Sequence, residues 1–260
     1  MLIPLSLSAL LWVGLNWLSD SIQRDVGRVP PSGALLAGVM AASLALAAFQ
    51  SAGACVWGVI HYLLVLAYAQ KKHSAKVGAV SYLLLGGTVF AACASVGAAA
   101  NGAWFPKGDV FWFIAAQSLA HSARNLVADI RDMNKDRYEL PARYGANRAV
   151  GVVVACLLLA GFAAMKLTTL SLDTVGFVAL LLLGVLWLMR AGRRDGFDKA
   201  GRKLHHVMVG IFSCFTLYCS GRLGVAWWPW VTLGFIALAF LHTTYIDNPG
   251  KDWRAEHGKQ

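Results

Sequence analysis

The 260-residue chain is 58% hydrophobic and only 14% charged, with a mean hydropathy of +0.57. This composition excludes a soluble globular protein and a disordered one, and it predicts a polytopic membrane protein. The net charge of +10 would suit a nucleic-acid-binding protein, but the positions of the basic residues argue against that function.

Nine apolar segments follow one another along the chain, at residues 2–19, 33–52, 54–70, 77–99, 108–128, 148–166, 171–189, 204–220 and 225–245. Each is close to the ~20 residues that cross a bilayer as a helix. No long linker and no internal repeat divides the sequence. We therefore expect an all-α membrane protein of about nine transmembrane helices, packed in one bundle as a single domain over residues 1–260.

Basic residues are concentrated in every second loop between these segments. Only Lys107, Lys166 and Arg222 fall on the opposite side of the predicted membrane. Loops rich in Lys and Arg stay in the cytoplasm. The pattern predicts an outside N-terminus and a cytoplasmic C-terminus, and it explains the net charge without a nucleic-acid partner.

The first apolar segment ends in an acidic group. Asn16 and Asp20 are four residues apart and share a helix face. Asp25 lies about 140° around a helix from Asp20, and it rejoins that face only if the helix unwinds before Gly27. The run Val29–Gly33, "VPPSG", then interrupts the chain before the second segment.

Two further features precede the main motif. The third segment ends in "YAQKK", where Lys71 and Lys72 follow Tyr68. Two interpretations of these lysines stay open: an ordinary membrane anchor and a phosphate-binding loop. The fourth segment is rich in glycine and alanine, which favours close packing of membrane helices.

The fifth segment carries polar residues, Gln117, Ser118 and His121, at a depth where polar groups line a cavity or bond a neighbour. For His121 we favour a packing role. The stretch Arg124–Gly145, "RNLVADIRDMNKDRYELPARYG", follows directly.

On a helix this stretch would form two stripes. One is acidic or amide-bearing (Asn125, Asp129, Asp132, Asp136) and the other basic (Arg124, Arg131, Lys135). Oxygen ligands repeated along one face suit Mg²⁺, and the adjacent cations suit a phosphate. Farther along, His205 and His206 are adjacent and point about 100° apart on a helix, which makes a poor metal pair.

These residues resemble the UbiA superfamily of intramembrane prenyltransferases. That family carries NxxxDxxxD followed by an "RPxPSG"-like run, and later DxxxD followed by "TLPxxxG". Here "RVPPSG" and "ELPARYG" are similar to the two trailing runs, Asp132 and Asp136 match DxxxD, and Asn16 and Asp20 begin the first motif. The "YAQKK" loop resembles the family's "YxxxK" loop, with Lys72 the best fit to its basic residue and Lys71 the next.

The first motif departs from the family pattern. Arg24 stands where the second aspartate belongs, and Asp25 comes one place late. The loops after both motifs are shorter than usual for the family. The second motif is therefore the more specific of the two.

The resemblance implies a bundle around a central cavity and transfer of a prenyl group, with Mg²⁺, from a polyprenyl diphosphate to a lipophilic acceptor, aromatic or a quinone precursor, within membrane lipids. Asp20, Asp132 and Asp136 would be catalytic. The implied metal ligands are Asn16, Asp20, Asp25, Asp129, Asp132 and Asp136. The implied diphosphate-binding residues are Arg28, Lys71, Lys72, Arg124, Arg131 and Lys135.

Other functions remain open at this point. A UbiA-like terpene cyclase would ionise the same diphosphate and quench the cation internally, and a non-catalytic relative would do neither. A transporter predicts ionisable residues deep in the spans, where His61 and His121 are nearly alone. A CDP-alcohol phosphotransferase would carry a DGxxAR run before Asp132, and that run is missing.

Overall fold

The computed structural model describes residues 2–23, 32–134 and 138–222, and every regular element within them is helical. The helices are α1 (Leu2–Gln23), α2 (Gly33–Gln50), α3 (Ala52–Ala69), α4 (Ala75–Asn101), α5 (Gly108–Asp132), α6 (Leu140–Tyr144), α7 (Ala146–Ala164), α8 (Ser171–Asp195) and α9 (Phe197–Arg222). A short 3-10 turn, Gln70–Lys72, follows α3 directly.

The all-α prediction is confirmed over these residues. Eight of the nine predicted apolar segments correspond to long helices, and the ninth, 225–245, lies outside the described residues. Among the described helices, five (α2, α3, α4, α7 and α8) are long and apolar enough to cross a membrane. The protein is an integral membrane protein built from helices.

The chain divides into two compact units. The first combines residues 1–25 with 29–209, and the second combines 26–28 with 210–260. Of the second unit the structure describes residues 210–222, which are helical. The side chains considered below all belong to the first unit.

Buried polar contacts join α1 to α3 and α4. The ring nitrogens of His61 lie 2.9 Å from the Thr88 carbonyl oxygen and 3.2 Å from the Leu11 carbonyl oxygen. The neighbouring Tyr62 hydroxyl lies 2.7 Å from Ser43 Oγ on α2. Unsatisfied polar groups are costly in the bilayer core, so these bonds fix how the first four helices pack.

One end of the first unit brings together the last turn of α1, the turn after α3 and the residues that follow α5. His73 Nε2 lies 3.1 Å from the Ile22 carbonyl oxygen. Arg143 Nη1 donates to the Ala75 carbonyl oxygen at 2.8 Å. On α9, a side chain at Gly201 would come within 3.1 Å of the Arg131 backbone nitrogen. We call this the motif end, because Asp132 of the second predicted aspartate motif lies there.

At the opposite end of the first unit, one carboxylate holds a loop through several hydrogen bonds. Asp109, in the first turn of α5, accepts hydrogen bonds from the backbone nitrogens and hydroxyls of Thr168 and Thr169, at 2.6–3.1 Å. These bonds hold the α7–α8 loop against the start of α5.

Close packing of α4 on α5 depends on Gly86. A Cβ there would collide with the Ser122 side chain and lie 2.9 Å from the Ser118 carbonyl oxygen. A hydroxyl can rotate away, but a backbone carbonyl of a packed helix cannot. The small residue therefore sets how near α5 comes to α4.

We expect Gly86→Ala to lower the free energy of unfolding by about 1–3 kcal/mol, because it overpacks this contact. Gly97→Ala on the same helix is the matched control, since no atom lies within 4 Å of a Cβ at Gly97. The control should be neutral or slightly stabilising, because alanine is the better helix former. Unfolding in detergent, followed by tryptophan fluorescence, checks both. Equal stability of the two variants would contradict the packing argument.

Candidate functional site

The second half of α5 presents two neighbouring polar rows. Ser118, Ser122, Asn125 and Asp129 are buried, and their spacing places them on the side that meets α3 and α4. Gln117, His121, Arg124 and Arg131 form a second row, in which each side chain is only half-buried. We call this second row the α5 basic row. Polar side chains at such depth line the interior of a bundle and not its lipid face.

A buried ionic cluster connects the first row to the turn after α3. Lys71 Nζ lies 2.6 Å from Glu139 Oε1 and 3.4 Å from Asp129 Oδ1. The three side chains are only 10%, 1% and 3% exposed, in the order Lys71, Glu139, Asp129. Ser81 Oγ donates to the other Asp129 oxygen at 3.4 Å. We call these three charged residues the Lys71 cluster.

Tyr68 extends this cluster along α3. Its hydroxyl donates to Asn125 Oδ1 at 3.4 Å, and the Lys71 ammonium lies 5.2 Å from the centre of its ring. A cation over an aromatic face is attracted by the ring quadrupole. The predicted "YxxxK" loop is therefore joined to the second aspartate motif through both Tyr68 and Lys71.

The electrostatics of the Lys71 cluster follow from two carboxyl groups sharing one ammonium. Burial alone would lower the pKa of Lys71, but the Tyr68 hydroxyl, Asp129 and Glu139 raise it well above its usual range. Burial and the nearby Asp129 carboxylate raise the pKa of Glu139 to about 7, against the attraction of Lys71. Lys71 is a permanent cation here, and it is the group that lets two acids be buried together.

Sequence reasoning gave no role to Glu139. The signal was present in "ELPARYG", where a carboxylate stands at the position of the threonine in the family's "TLPxxxG". The family resemblance favoured Lys72 over Lys71 as the basic residue of the "YxxxK" loop. The structure places Lys71 in the cluster, and the Lys72 side chain lies outside the described residues.

Asp132 lies in a different environment from Asp129. Its Oδ2 accepts from Arg131 Nε at 3.0 Å and also from Arg131 Nη2. The Asp132 side chain is 23% exposed. Arg131 Nη1 in turn lies 3.5 Å from His205 Nδ1 on α9. The second motif therefore contains one aspartate sealed inside the bundle and one accessible at the end of α5.

The predicted acidic stripe is shorter than the sequence implied. Helix α5 ends at Asp132, so helical spacing does not carry the stripe on to Asp136. Asp136 and Lys135 lie outside the described residues, as do Asp25, Arg28 and the side chain of Asp20. Asn16 is described, and its Nδ2 donates to the Trp12 carbonyl oxygen of its own helix at 2.9 Å.

The described residues contain no group of three or more His, Cys, Asp or Glu side chains placed to hold a metal ion. Within them, Asp132 fits Mg²⁺, because it is an accessible carboxylate and Mg²⁺ keeps several of its waters. Asp129 does not fit, because Lys71 and Ser81 occupy its two oxygens in a sealed site. Asp129 and Asp132, which were predicted as ligands of one metal site, therefore differ: Asp132 is accessible and Asp129 is sealed.

Comparison with known proteins supports the fold. No protein-family model matches the chain, and no curated protein does. The chain is similar to the apo structure of a UbiA homolog from Aeropyrum pernix K1, with a TM-score of 0.57 and 18% sequence identity. The match covers 82% of this chain and 88% of that chain. At this identity the likeness shows the fold, and it agrees with the resemblance of the motifs.

The Lys71 cluster can be tested with a double-mutant cycle. Lys71→Met should cost about 3–5 kcal/mol of unfolding free energy, because it leaves two buried carboxyl groups without their cation. Glu139→Gln should cost less, and the pair should show a coupling energy of about 1–3 kcal/mol.

Lys76→Met is the matched control, since Lys76 is an exposed lysine at the same motif end. We expect it to stay within about 0.5 kcal/mol of the wild type. Strict additivity of Lys71→Met and Glu139→Gln would show that the two side chains do not interact, and so would contradict the cluster.

Proposed function

We propose that this protein is an intramembrane prenyltransferase that takes a polyprenyl diphosphate and transfers its prenyl group, with Mg²⁺, to a lipophilic acceptor. The observation that supports this most is the UbiA-like fold, in which Asp132, the first aspartate of the DxxxD motif, is the last residue of α5. The accessible Asp132 carboxylate and the adjacent Arg131 guanidinium are the types of group that a diphosphate site requires.

The mechanism assigns tasks to the apolar helix faces, to Arg131 and to the predicted metal ligands. The prenyl chain lies along the apolar faces of the helices, where its burial is favourable. Arg131 binds the diphosphate oxygens and positions the C–O bond that breaks. Asp132, with Asp20, Asp136 and Asn16, would hold Mg²⁺, whose charge offsets that of the departing diphosphate. The bundle keeps water from the allylic cation until the acceptor attacks it.

The Lys71 cluster supports this site from the inside. Lys71 lies between two carboxyl groups, so in this arrangement its charge is engaged by Asp129 and Glu139. Any direct contact of Lys71 or Lys72 with the diphosphate stays a prediction. The cluster keeps the end of α5, and with it Arg131 and Asp132, in a fixed position relative to α3 and α4.

The charge pattern predicts that the motif end faces the cytoplasm. Single cysteines introduced at exposed positions Lys76 and Lys199, in a background where the native cysteines are replaced, should react with a membrane-impermeant maleimide only in inverted vesicles. A cysteine at Lys107, in the loop before α5, is the opposite-side control and should react in right-side-out vesicles. Labelling of Lys76 and Lys107 positions from the same side would contradict this topology.

Asp132→Asn should abolish turnover, with a loss of at least about 100-fold, comparable to removing one preorganised electrostatic group. Asp20→Ala and Asp136→Ala should do the same, and Asp25→Ala should be milder unless α1 unwinds before it. The assay is Mg²⁺-dependent release of pyrophosphate by purified protein, given prenyl diphosphates of several chain lengths and a membrane lipid extract as the acceptor source.

Asp195→Asn provides the control, because Asp195 is an exposed acid that pairs with Arg194 on the last turn of α8. It should keep full activity. Full activity of Asp132→Asn would rule out the mechanism. Identification of the lipid product separates transfer to an acceptor from cyclisation, and an absence of any product would favour a non-catalytic protein.

A further inference from the structure

Two histidines outside the acidic motifs contact the backbone of α1. His61 Nε2 lies 3.2 Å from the Leu11 carbonyl oxygen, and His73 Nε2 lies 3.1 Å from the Ile22 carbonyl oxygen. His61 is on α3 and only 1% exposed, whereas His73 directly follows the 3-10 turn that extends α3. The mechanism proposed above uses neither histidine, although both contact the same helix.

The two contacts match the helical repeat of α1. Leu11 and Ile22 are eleven residues apart, which is close to three turns, so their carbonyl groups lie on the same side of the helix. Along the axis they are separated by roughly 16 Å. Asn16 and Asp20, which begin the first predicted aspartate motif, fall between them. Two fixed points on one helix set both its height in the bundle and its rotation, and so they place positions 16 and 20.

Close packing of α1 on α3 supports the histidine contacts. A Cβ at Gly14 would collide with the Tyr62 hydroxyl, so a larger residue there would push the two helices apart. The Tyr62 hydroxyl lies 2.7 Å from Ser43 Oγ on α2. It therefore cannot move away from α1 without breaking a buried hydrogen bond. Helix α1 thus lies tightly against α3 between the two carbonyl groups that the histidines contact.

The partners of each ring determine which proton the contact requires. A carbonyl oxygen only accepts hydrogen bonds, so a bond to α1 requires a proton on Nε2 of the histidine. His61 Nδ1 also lies 2.9 Å from the Thr88 carbonyl oxygen on α4. A neutral imidazole has one N–H, so a neutral His61 bonds either α1 or α4 at a given moment. The bond to α1 can therefore be tested separately from the bond to α4.

We infer that His61 and His73 are positioning residues, which clamp α1 at one height against α3 and so place Asn16 and Asp20 for Mg²⁺ binding. We call the pair the histidine clamp. Both rings act through the backbone of α1. The consequence for Mg²⁺ rests on the proposed function, whereas the position of α1 does not.

The position of α1 can be measured without any turnover. Nitroxide labels at Ser21→Cys on α1 and Lys76→Cys on α4, in a background without native cysteines, report one distance by double electron–electron resonance. Both positions are at least partly exposed. We expect a narrow distance distribution in the otherwise unchanged protein. His61→Phe and His73→Phe should each broaden it, because phenylalanine keeps a ring but cannot donate, and the double variant should broaden it most.

Side-chain amides separate the clamp from general packing. Glutamine places an N–H donor near the position of histidine Nε2, and asparagine places one near that of Nδ1. His61→Gln should therefore keep the narrow distribution, whereas His61→Asn, which reaches only α4, should broaden it. His206→Phe is the matched control, because His206 is exposed on α9, and it should leave the distance unchanged.

In the turnover assay the clamp should affect the metal requirement more than the maximum rate. We expect the double variant to need about tenfold more Mg²⁺ for its half-maximal rate, as is typical when a group that orients metal ligands is lost. The rate at saturating Mg²⁺ should fall by a smaller factor, and His206→Phe should behave like the wild type.

The outcomes separate this inference from the proposed function. An unchanged distance distribution in the double variant would overturn the clamp even if its Tm fell, because a merely structural role lowers stability without moving α1. If the double variant does not fold, equal broadening in His61→Gln and His61→Asn would overturn the clamp. A broadened distribution with an unchanged Mg²⁺ requirement would overturn the positioning role. An absence of turnover in the wild type would count against the proposed function and leave the distances to decide the clamp.

Discussion

The burial of one ammonium between two carboxyl groups is the constraint on which the motif end depends. Lys71, Asp129 and Glu139 come from the turn after α3, from α5, and from the residue preceding α6. In a low-dielectric interior, each charge would be prohibitive without the others. The cluster therefore holds three separate parts of the chain in one arrangement.

Helix α5 distributes its polar residues between two environments. The row facing α3 and α4 is sealed and its charge is neutralised within the protein, as Asp129 shows. The adjacent row is half-buried, and it contains one guanidinium paired with Asp132 and one, that of Arg124, whose Nε has no hydrogen-bond partner among the described residues. Because neighbouring rows on a helix can face different neighbours, one helix presents both a sealed row and a half-buried row.

Much of this could be predicted from the sequence, because hydrophobic length and charge position are local properties. The all-α architecture and the long helices followed from them, whereas the role of Asp132 stays a prediction. The different environments of Asp129 and Asp132 could not be predicted in this way. They depend on Lys71 reaching α5 from another helix, and on α5 ending at Asp132. Helical spacing alone places all the aspartates on one stripe, because it contains no information about which neighbouring helix each row contacts.

The balance of charge in the site now has a physical explanation. A chain with few acids in its membrane core can bury a cation only if it supplies a counter-ion or leaves the counter-ion to a ligand. Lys71 represents the first solution, because Asp129 and Glu139 lie within 3.4 Å of its ammonium. Both acids are buried, so removing the ammonium would leave uncompensated charge inside the protein. The stability of the motif end therefore depends on a lysine that lies outside the acidic motif itself.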